Sequence, residues 1–397
     1  MQALRLRAYT IASAIGIGLA PTLAALRERR GGLAHRNWET SEIDTCIGEV
    51  EGVDAVRLRG DLVGFDCRNN RLAQLALEQD GFAPAVQEAA ARVGPQRVGL
   101  FLGTSTSGIH SSELAYRQRD PVTGALPMTL DYRRTHNVYS VGDFVRSYFG
   151  LRGPAWVVST ACSSSAKVFG TAQRMIESGL IDAALVGGVD SLCLTTLYGF
   201  HSLQLISAQP CRPYDLRRDG LSIGEAAAFA LLEPARNVQR GDLLLSGVGE
   251  SSDAYHMSAP HPEGLGAQQA MRAALAAAGI GAHAIDYIAL HGTATPSNDR
   301  AESRAVEAVF GAGTPCSSVK GHVGHTLGAA GAVNAVACAL ALQHDFAPAG
   351  VGTQALDPDL PGRYLLENLA QPMRQVMSNA LGFGGSNCSL VFSKVGT

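Results

Sequence analysis

The chain of 397 residues has eight cysteines (46, 67, 162, 193, 211, 316, 338 and 388) but no C-x-x-C pair. Thiols scattered this way describe reduced cysteines, not a disulfide framework, and the missing pairs remove the common zinc and dithiol signatures. Charge is scarce too: 17% of residues are charged, and 32 basic against 35 acidic residues leave a net charge of −3. No overall field draws such a chain to nucleic acid or to an anionic membrane surface. Disorder is excluded by a hydrophobic content of 46%. The N-terminal run "AYTIASAIGIGLAPTLAAL" follows Arg5 and Arg7 as a signal peptide would. Gly16, Gly18, Pro21 and the basic "RERR" after it predict instead a strand, a glycine turn and a helix. No other stretch reads as long and apolar enough to span a membrane. Two familiar motifs are incomplete. "GIG" at 16–18 lacks the third glycine and downstream acid of a dinucleotide site, and "GTSTSG" at 103–108 has Ser107 where a serine nucleophile elbow needs glycine.

What the chain has in quantity is glycine, 45 residues of it, suited to tight turns and close backbone packing. Short apolar runs at 97–104, 155–160, 183–189, 228–233, 286–292, 316–319 and 388–393 read as strands, and 163–178, 265–278, 299–310 and 327–343 as helices. The alternation predicts an α/β protein with mostly parallel sheets. The halves echo one another. "VGLFLGTST" is answered by "IDYIALHGTAT", and "ACSSSAKVFGTAQRMIESG" by "GHTLGAAGAVNAVACALAL", which suggests a duplicated fold. The division expected is 1–238 and 239–397, joined near "QRGD", with a polar cap or rim inserted at about 105–150.

Within "VVSTACSSSAK" (157–167), Cys162 lies at a strand-to-helix junction among small residues. It is either an inert small core residue or a nucleophile whose thiolate the helix start favours. Three further segments bear on it. His291 ends an apolar strand in "LHGTATPSNDRAE", at the strand end where α/β sheets bind ligands. Lys320, His322 and His325 precede an Ala/Gly helix in "SVKGHVGHTLGAAGA", and Phe383 sits in the glycine loop "NALGFGGSNCSL". Each also has a plain structural reading. "HVGH" makes a poor metal pair, having no carboxylate or cysteine nearby, so no metal site is expected.

In this order the Cys of "TACSSS", the His of "HGTATPSND", the Lys and His of "KGHVGHTLGAAG" and the terminal "GFGGSN" resemble the β-ketoacyl-acyl-carrier-protein synthases. "CRPYDLRRDGLSIGEAAAFALLE" and "SSDAYHMSAPHPEG" extend the resemblance over nearly the whole chain. "GTSTSGIHSSELAY" and "VGGVDSLCLTTLYGF" look closest to the ketosynthases of aryl polyene pigment pathways. Leu381, Ala226 and Ser258 depart from the common pattern without touching the Cys-His-His set.

The resemblance implies a thiolase fold, two α/β halves in a five-layered αβαβα arrangement. It further implies a cytoplasmic enzyme, usually a homodimer, with a heterodimer of related subunits as the other form. Cys162 is implied as acyl acceptor, His291 and His325 as donors to a malonyl thioester, and Lys320 as a site residue orienting His325. The N–H groups of Cys162 and Phe383 are implied as an oxyanion hole, with Phe383 and Gly384 forming a gate. Thr106 and Leu381 are implied at the acyl pocket. No cofactor is expected, since substrates arrive on the phosphopantetheine of an acyl carrier protein. Such carriers are acidic, and Arg68, Arg71, Arg133 and Arg134, all in polar segments, are the candidate docking cations. Three rivals remain. A thiolase or CoA-primed relative often pairs Cys with His and Asn, a cysteine hydrolase uses similar residue types, and a non-catalytic chain-length-factor subunit typically lacks the cysteine retained here.

Overall fold

The computed structural model describes residues 2–396. Ten strands carry the architecture: β1 Leu4–Ser13, β2 Val98–Gly103, β3 Ala155–Val158, β4 Ala183–Asp190, β5 Ala226–Pro234, β6 Leu243–Ser252, β7 Tyr287–Ala289, β8 Pro315–Ser317, β9 Gln375–Gly382 and β10 Ser386–Lys394. The first five lie in the order β3-β2-β4-β5-β1, and the last five in the order β8-β7-β9-β10-β6. Ranked within their own half, both read 3-2-4-5-1. In each, the first three strands of that order are parallel and the fourth is antiparallel to its neighbours. The short pairings Leu4↔Leu245 and Arg5↔Leu244 join the two sheets edge to edge. The repeats meet across the segment 235–242, exposed over 236–241.

Strand alternation sends successive side chains to opposite faces and so builds the layers. On β2, Val98, Leu100 and Leu102 pack outward on the helices Arg68–Leu77, Phe82–Val93 and Ser140–Phe149, while Phe101 points inward. On β10, Cys388, Leu390 and Phe392 face inward and Val391 faces out, toward helices Leu265–Ala278 and Pro296–Phe310. Between the sheets lie helices Ser164–Glu177 and Ala330–His344, giving five layers. Their Ala, Gly and Ser content lets backbones approach closely: a Cβ on Gly331 would lie 2.4 Å from the backbone nitrogen of Ala166. Each aromatic ring buried here, such as Phe169 or Phe392, contributes roughly 2–3 kcal/mol.

Several expectations need correction. Strands β6 and β9 were not expected, because "LLLSGVGESS" and "QVMSNALG" are too mixed with Gly, Ser and Asn to read as strands. The 105–150 segment is not all cap, since Ser140–Phe149 forms a helix that buries Val141, Phe144 and Val145 in the core. Leu327–His344 has the length and mean hydropathy, 1.3, of a membrane span, but 89% of it is buried within the fold, as the central layer requires. The N-terminal run forms β1, the short strand Gly16–Ile17 and a helix over Leu19–Glu28.

Candidate active site

Cys162 follows β3 by one tight turn. Ala161 adopts a left-handed backbone (φ 52°), a conformation costing roughly 1–2 kcal/mol for a residue with a Cβ. That turn is held by the Thr160 N–H donating to Ser164 Oγ at 2.9 Å, and Ser163, just before the helix that starts at Ser164, turns its hydroxyl back to the Thr160 carbonyl at 3.0 Å. The thiol is 4% exposed and opens onto a narrow cavity of about 40 Å³. Its apolar wall includes Phe200, Leu205, Leu221, Leu381 and Phe383, and its polar wall Asp253, Thr293, Thr295, Ser297 and Asn298.

Both histidines come from the second repeat. His291 lies beyond the end of β7, where its N–H and that of Gly292 donate to the buried carboxylate of Glu302 at 2.8 and 2.7 Å. His325 is pinned to the first repeat by its own N–H donating to Ser222 O (2.7 Å) and by the Gly224 N–H donating to its carbonyl (3.1 Å). Its Nε2 lies 2.9 Å from Sγ of Cys162, and the two imidazole rings meet edge to face at 5.4 Å. Lys320 Nζ donates to the carbonyl of His291 and stands 3.4 Å from its Nδ1. The lysine therefore serves His291 and not His325, a correction. With an ammonium at Nδ1, the ring proton of His291 belongs on Nε2. Nδ1 of His325 has no partner among the described residues, so no hydrogen bond from them locks its tautomer.

The electrostatics follow burial. Enclosure pushes the Cys162 thiol up to about 11, against the Lys320 charge and the N–H groups of Phe383 and Cys162. The helix start does not win, which corrects the expectation of a resting thiolate. Burial first, and the Lys320 charge second, hold His291 and His325 well below the usual imidazole range, so both rings are neutral. Glu302 is pushed up to about 7 by burial, opposed by the N–H groups of Gly292 and His291. By distance alone, donor atoms of Cys162, His291 and His325, all within 4.8 Å of one another, could ligate a metal ion. The Lys320 ammonium beside His291 opposes a divalent cation there.

The glycine loop closes the site. Gly384 and Gly385 take left-handed φ of 79° and 76°, and the Gly384 N–H donates to Met257 O at 2.7 Å. Phe383 packs on Phe200 at 5.6 Å, and Phe200 in turn touches the His325 ring at 6.4 Å.

Two expected site residues lie elsewhere. Thr106 is 1% exposed and does not line the cavity, because its N–H and hydroxyl both bond Asp190 at 2.8 Å. Arg68 is not a surface cation: it is 4% exposed, bound through two nitrogens to buried Glu225 (2.6 and 2.9 Å), and stacked on Trp38 at 4.6 Å. Arg71 is held by Asp66 at 2.6 and 2.8 Å. Arg134 is exposed, lies over Phe65 and is 3.9 Å from Asp131, whereas exposed Arg133 has no ion-pair partner among the described residues. Sequence reasoning missed Phe200, Leu205, Leu221 and Asp190. Thr293 and Thr295 stood inside the quoted "HGTATP" without being singled out.

Comparison with known proteins matches residues 70–237 to the family model "Beta-ketoacyl synthase, N-terminal domain" and 244–354 to "Beta-ketoacyl synthase, C-terminal domain". The chain is 37% identical over 266 residues to the mitochondrial 3-oxoacyl-[acyl-carrier-protein] synthase of Arabidopsis thaliana, covering 62% of this chain and 58% of that protein. It is 30% identical over 393 residues to 3-oxoacyl-[acyl-carrier-protein] synthase 2 of Staphylococcus aureus, covering 88% of this chain and 93% of that one. A solved ketosynthase in complex with its chain length factor, from Xenorhabdus doucetiae, superposes with a TM-score of 0.91 at 38% identity, covering 99% and 98% of the two chains. The doubled 3-2-4-5-1 sheet, the Cys-His-His cluster and both family models agree, and the chain belongs to the β-ketoacyl synthase family.

Proposed function

We propose that the chain condenses a Cys162-bound acyl group with malonyl-acyl carrier protein, releasing carbon dioxide. The observation that carries this reading is the 2.9 Å contact between Cys162 Sγ and a neutral His325 ring, with a neutral His291 beside it. In loading, Sγ attacks the acyl thioester of the carrier, the thiol proton passes through His325 Nε2, and the pantetheine thiol leaves carrying it. A thiol held at about 11 is helped by this acceptor, because few molecules ionise unaided near neutral pH. In extension, the bond from malonyl Cα to its carboxylate breaks, and the electrons move onto the thioester oxygen. N–H groups of His291 and His325 hold that oxygen. The enolate carbon then attacks the acyl-Cys carbonyl. Backbone N–H groups of Cys162 and Phe383 donate to the oxyanion, collapse expels the Cys162 thiolate, and a proton from solvent restores the resting thiol. The unlocked tautomer of His325 suits a ring nitrogen that accepts a proton in loading and donates a hydrogen bond in extension. Lys320 keeps His291 in its donor form.

No cofactor enters this scheme, and the eight free cysteines suit a reducing cytoplasm. The acidic carrier docks beside Arg133 and Arg134, and Leu381 bounds the acyl pocket. The second subunit is a copy or a relative of this chain, as in the Xenorhabdus doucetiae complex. Its place is the free edge of β3, where Trp156 is 47% exposed. Retention of Cys162 and both histidines favours the catalytic subunit over a chain-length factor. Intact-mass detection of acyl-Cys162, followed by β-ketoacyl product only when malonyl carrier protein is added, tests the reading. Acyl release as free acid without elongation would make it a hydrolase instead.

A further inference from the structure

The contact between Cys162 and His325 spans the two repeats, so something must hold the repeats in register behind it. Asp190 lies there, at the end of β4, 1% exposed. Its carboxylate receives the N–H of Ser105 (2.8 Å) and of Thr106 (2.8 Å), together with the hydroxyls of Thr104 (2.6 Å) and Thr106 (2.8 Å), all in the first repeat. Its other oxygen receives the N–H of Gly328, three residues after His325 in the second repeat. Ser105 in turn reaches the carbonyl of Ala161, the residue before the nucleophile, at 3.4 Å.

The turn carrying Gly328 is built to make that contact. Leu327, a bulky residue, takes a left-handed backbone (φ 51°), which costs energy and turns the next N–H toward the carboxylate. A Cβ on Gly328 would sit 2.8 Å from both Asp190 Oδ2 and the Ser105 nitrogen, so only glycine fits. Glu302 offers a contrast: it also holds a strand end through two N–H groups, but both belong to its own repeat.

We propose that Asp190 is a positioning residue that fixes His325 against Cys162 by receiving N–H groups from both repeats. It touches no reacting atom in the scheme above. The inference rests on the proposed condensation, in which His325 is required to hold the malonyl thioester oxygen. A carboxylate accepts from all these donors at once, whereas an amide presents one oxygen and an NH₂ that opposes an N–H. Loading asks less of His325 placement than decarboxylation, which needs its N–H aimed at a developing enolate.

Asp190→Asn in the full-length protein should therefore load Cys162 from acyl carrier protein within about threefold of wild type. Decarboxylation of malonyl carrier protein should fall about 30-fold in kcat with little change in KM. Gly328→Ala, which pushes on the same contact from the other repeat, should give the same split. It also carries the test should the first variant not fold. Combining the two should add little, as expected of two changes to one contact. Alkylation of Cys162 gives a readout that needs no carrier. Asp190→Asn removes a negative charge that raises the thiol, so its midpoint should move to lower pH, and Gly328→Ala should leave it in place. Equal falls in loading and decarboxylation, additive losses, or unchanged decarboxylation overturn the proposal. Failure of the wild-type protein to condense at all would overturn the proposed function instead.

Discussion

At the scale of single residues, the site keeps its thiol and both imidazoles neutral and relies on contact. Cys162→Ala should fold normally and lose condensation altogether, because it deletes the nucleophile and little volume; product assay beside circular dichroism checks both halves of that statement. His291→Ala and His325→Ala should depress decarboxylation of malonyl carrier protein more than acyl loading. The histidines also make a pH statement. Their folded pKa lies below that of the unfolded chain, near 6.5, so the stability they contribute is complete above that value. Below it, the unfolded chain takes up protons that the folded one refuses. Each histidine then erodes stability by up to about 1.4 kcal/mol per pH unit. Denaturant melts at pH 5 and 7 should separate accordingly, and replacing either histidine with a residue that does not titrate should shrink the gap. A gap of unchanged size would mean these imidazoles are not the groups responsible.

At the scale of elements, the helix Arg68–Leu77 shows what a polar stretch conceals. "RNNRLAQLAL" reads as a solvated segment, yet its first arginine is an internal cation. Its partner Glu225 is 157 residues away, and that carboxylate also receives the N–H groups of Val50 and Leu192. Arg68→Ala should cost about 3–5 kcal/mol in chemical denaturation, since it strands a buried carboxylate. The KM for carrier protein should not change in the folded fraction. Arg133→Glu should do the reverse, raising that KM and weakening its salt dependence with little loss of stability. Legibility follows the same line. Cys162, His291, Lys320, His325 and Phe383 were readable because each stands beside its own strand end or glycine loop, where local pattern and chemistry coincide. The burial of Arg68 and the capture of Thr106 by Asp190 were not, because each depends on a partner more than 80 residues away. Strands β6 and β9 hid for another reason: they are two of the five strands of the second sheet, where neighbours supply the apolar environment that their own Gly and Ser do not advertise.

At the scale of the whole molecule, the outermost strand of the first repeat is the open question for assembly. β3 offers an unpaired edge, Trp156 is half exposed on it, and Met128 and Val122 stand exposed on the 118–139 loop. Trp156→Glu should shift light-scattering mass from dimer to monomer at micromolar concentration, because a charge on a strand edge opposes pairing. A mass unaffected by the change would move the interface elsewhere.

The division of labour between the repeats has a further consequence, in terms of inheritance. In the proposed reaction the nucleophile belongs to the first repeat and the decarboxylating pair to the second, and the chain between them is the short segment 235–242, exposed over 236–241. A recombination event there between this gene and a sibling would exchange entire roles, not fragments of one. The resulting chimera would take its acyl-accepting thiol from one parent and its malonyl-handling histidines from the other. Its success would turn on one inherited seam, the few bonds such as Asp190 to Gly328 at which the two parental halves must recognise each other.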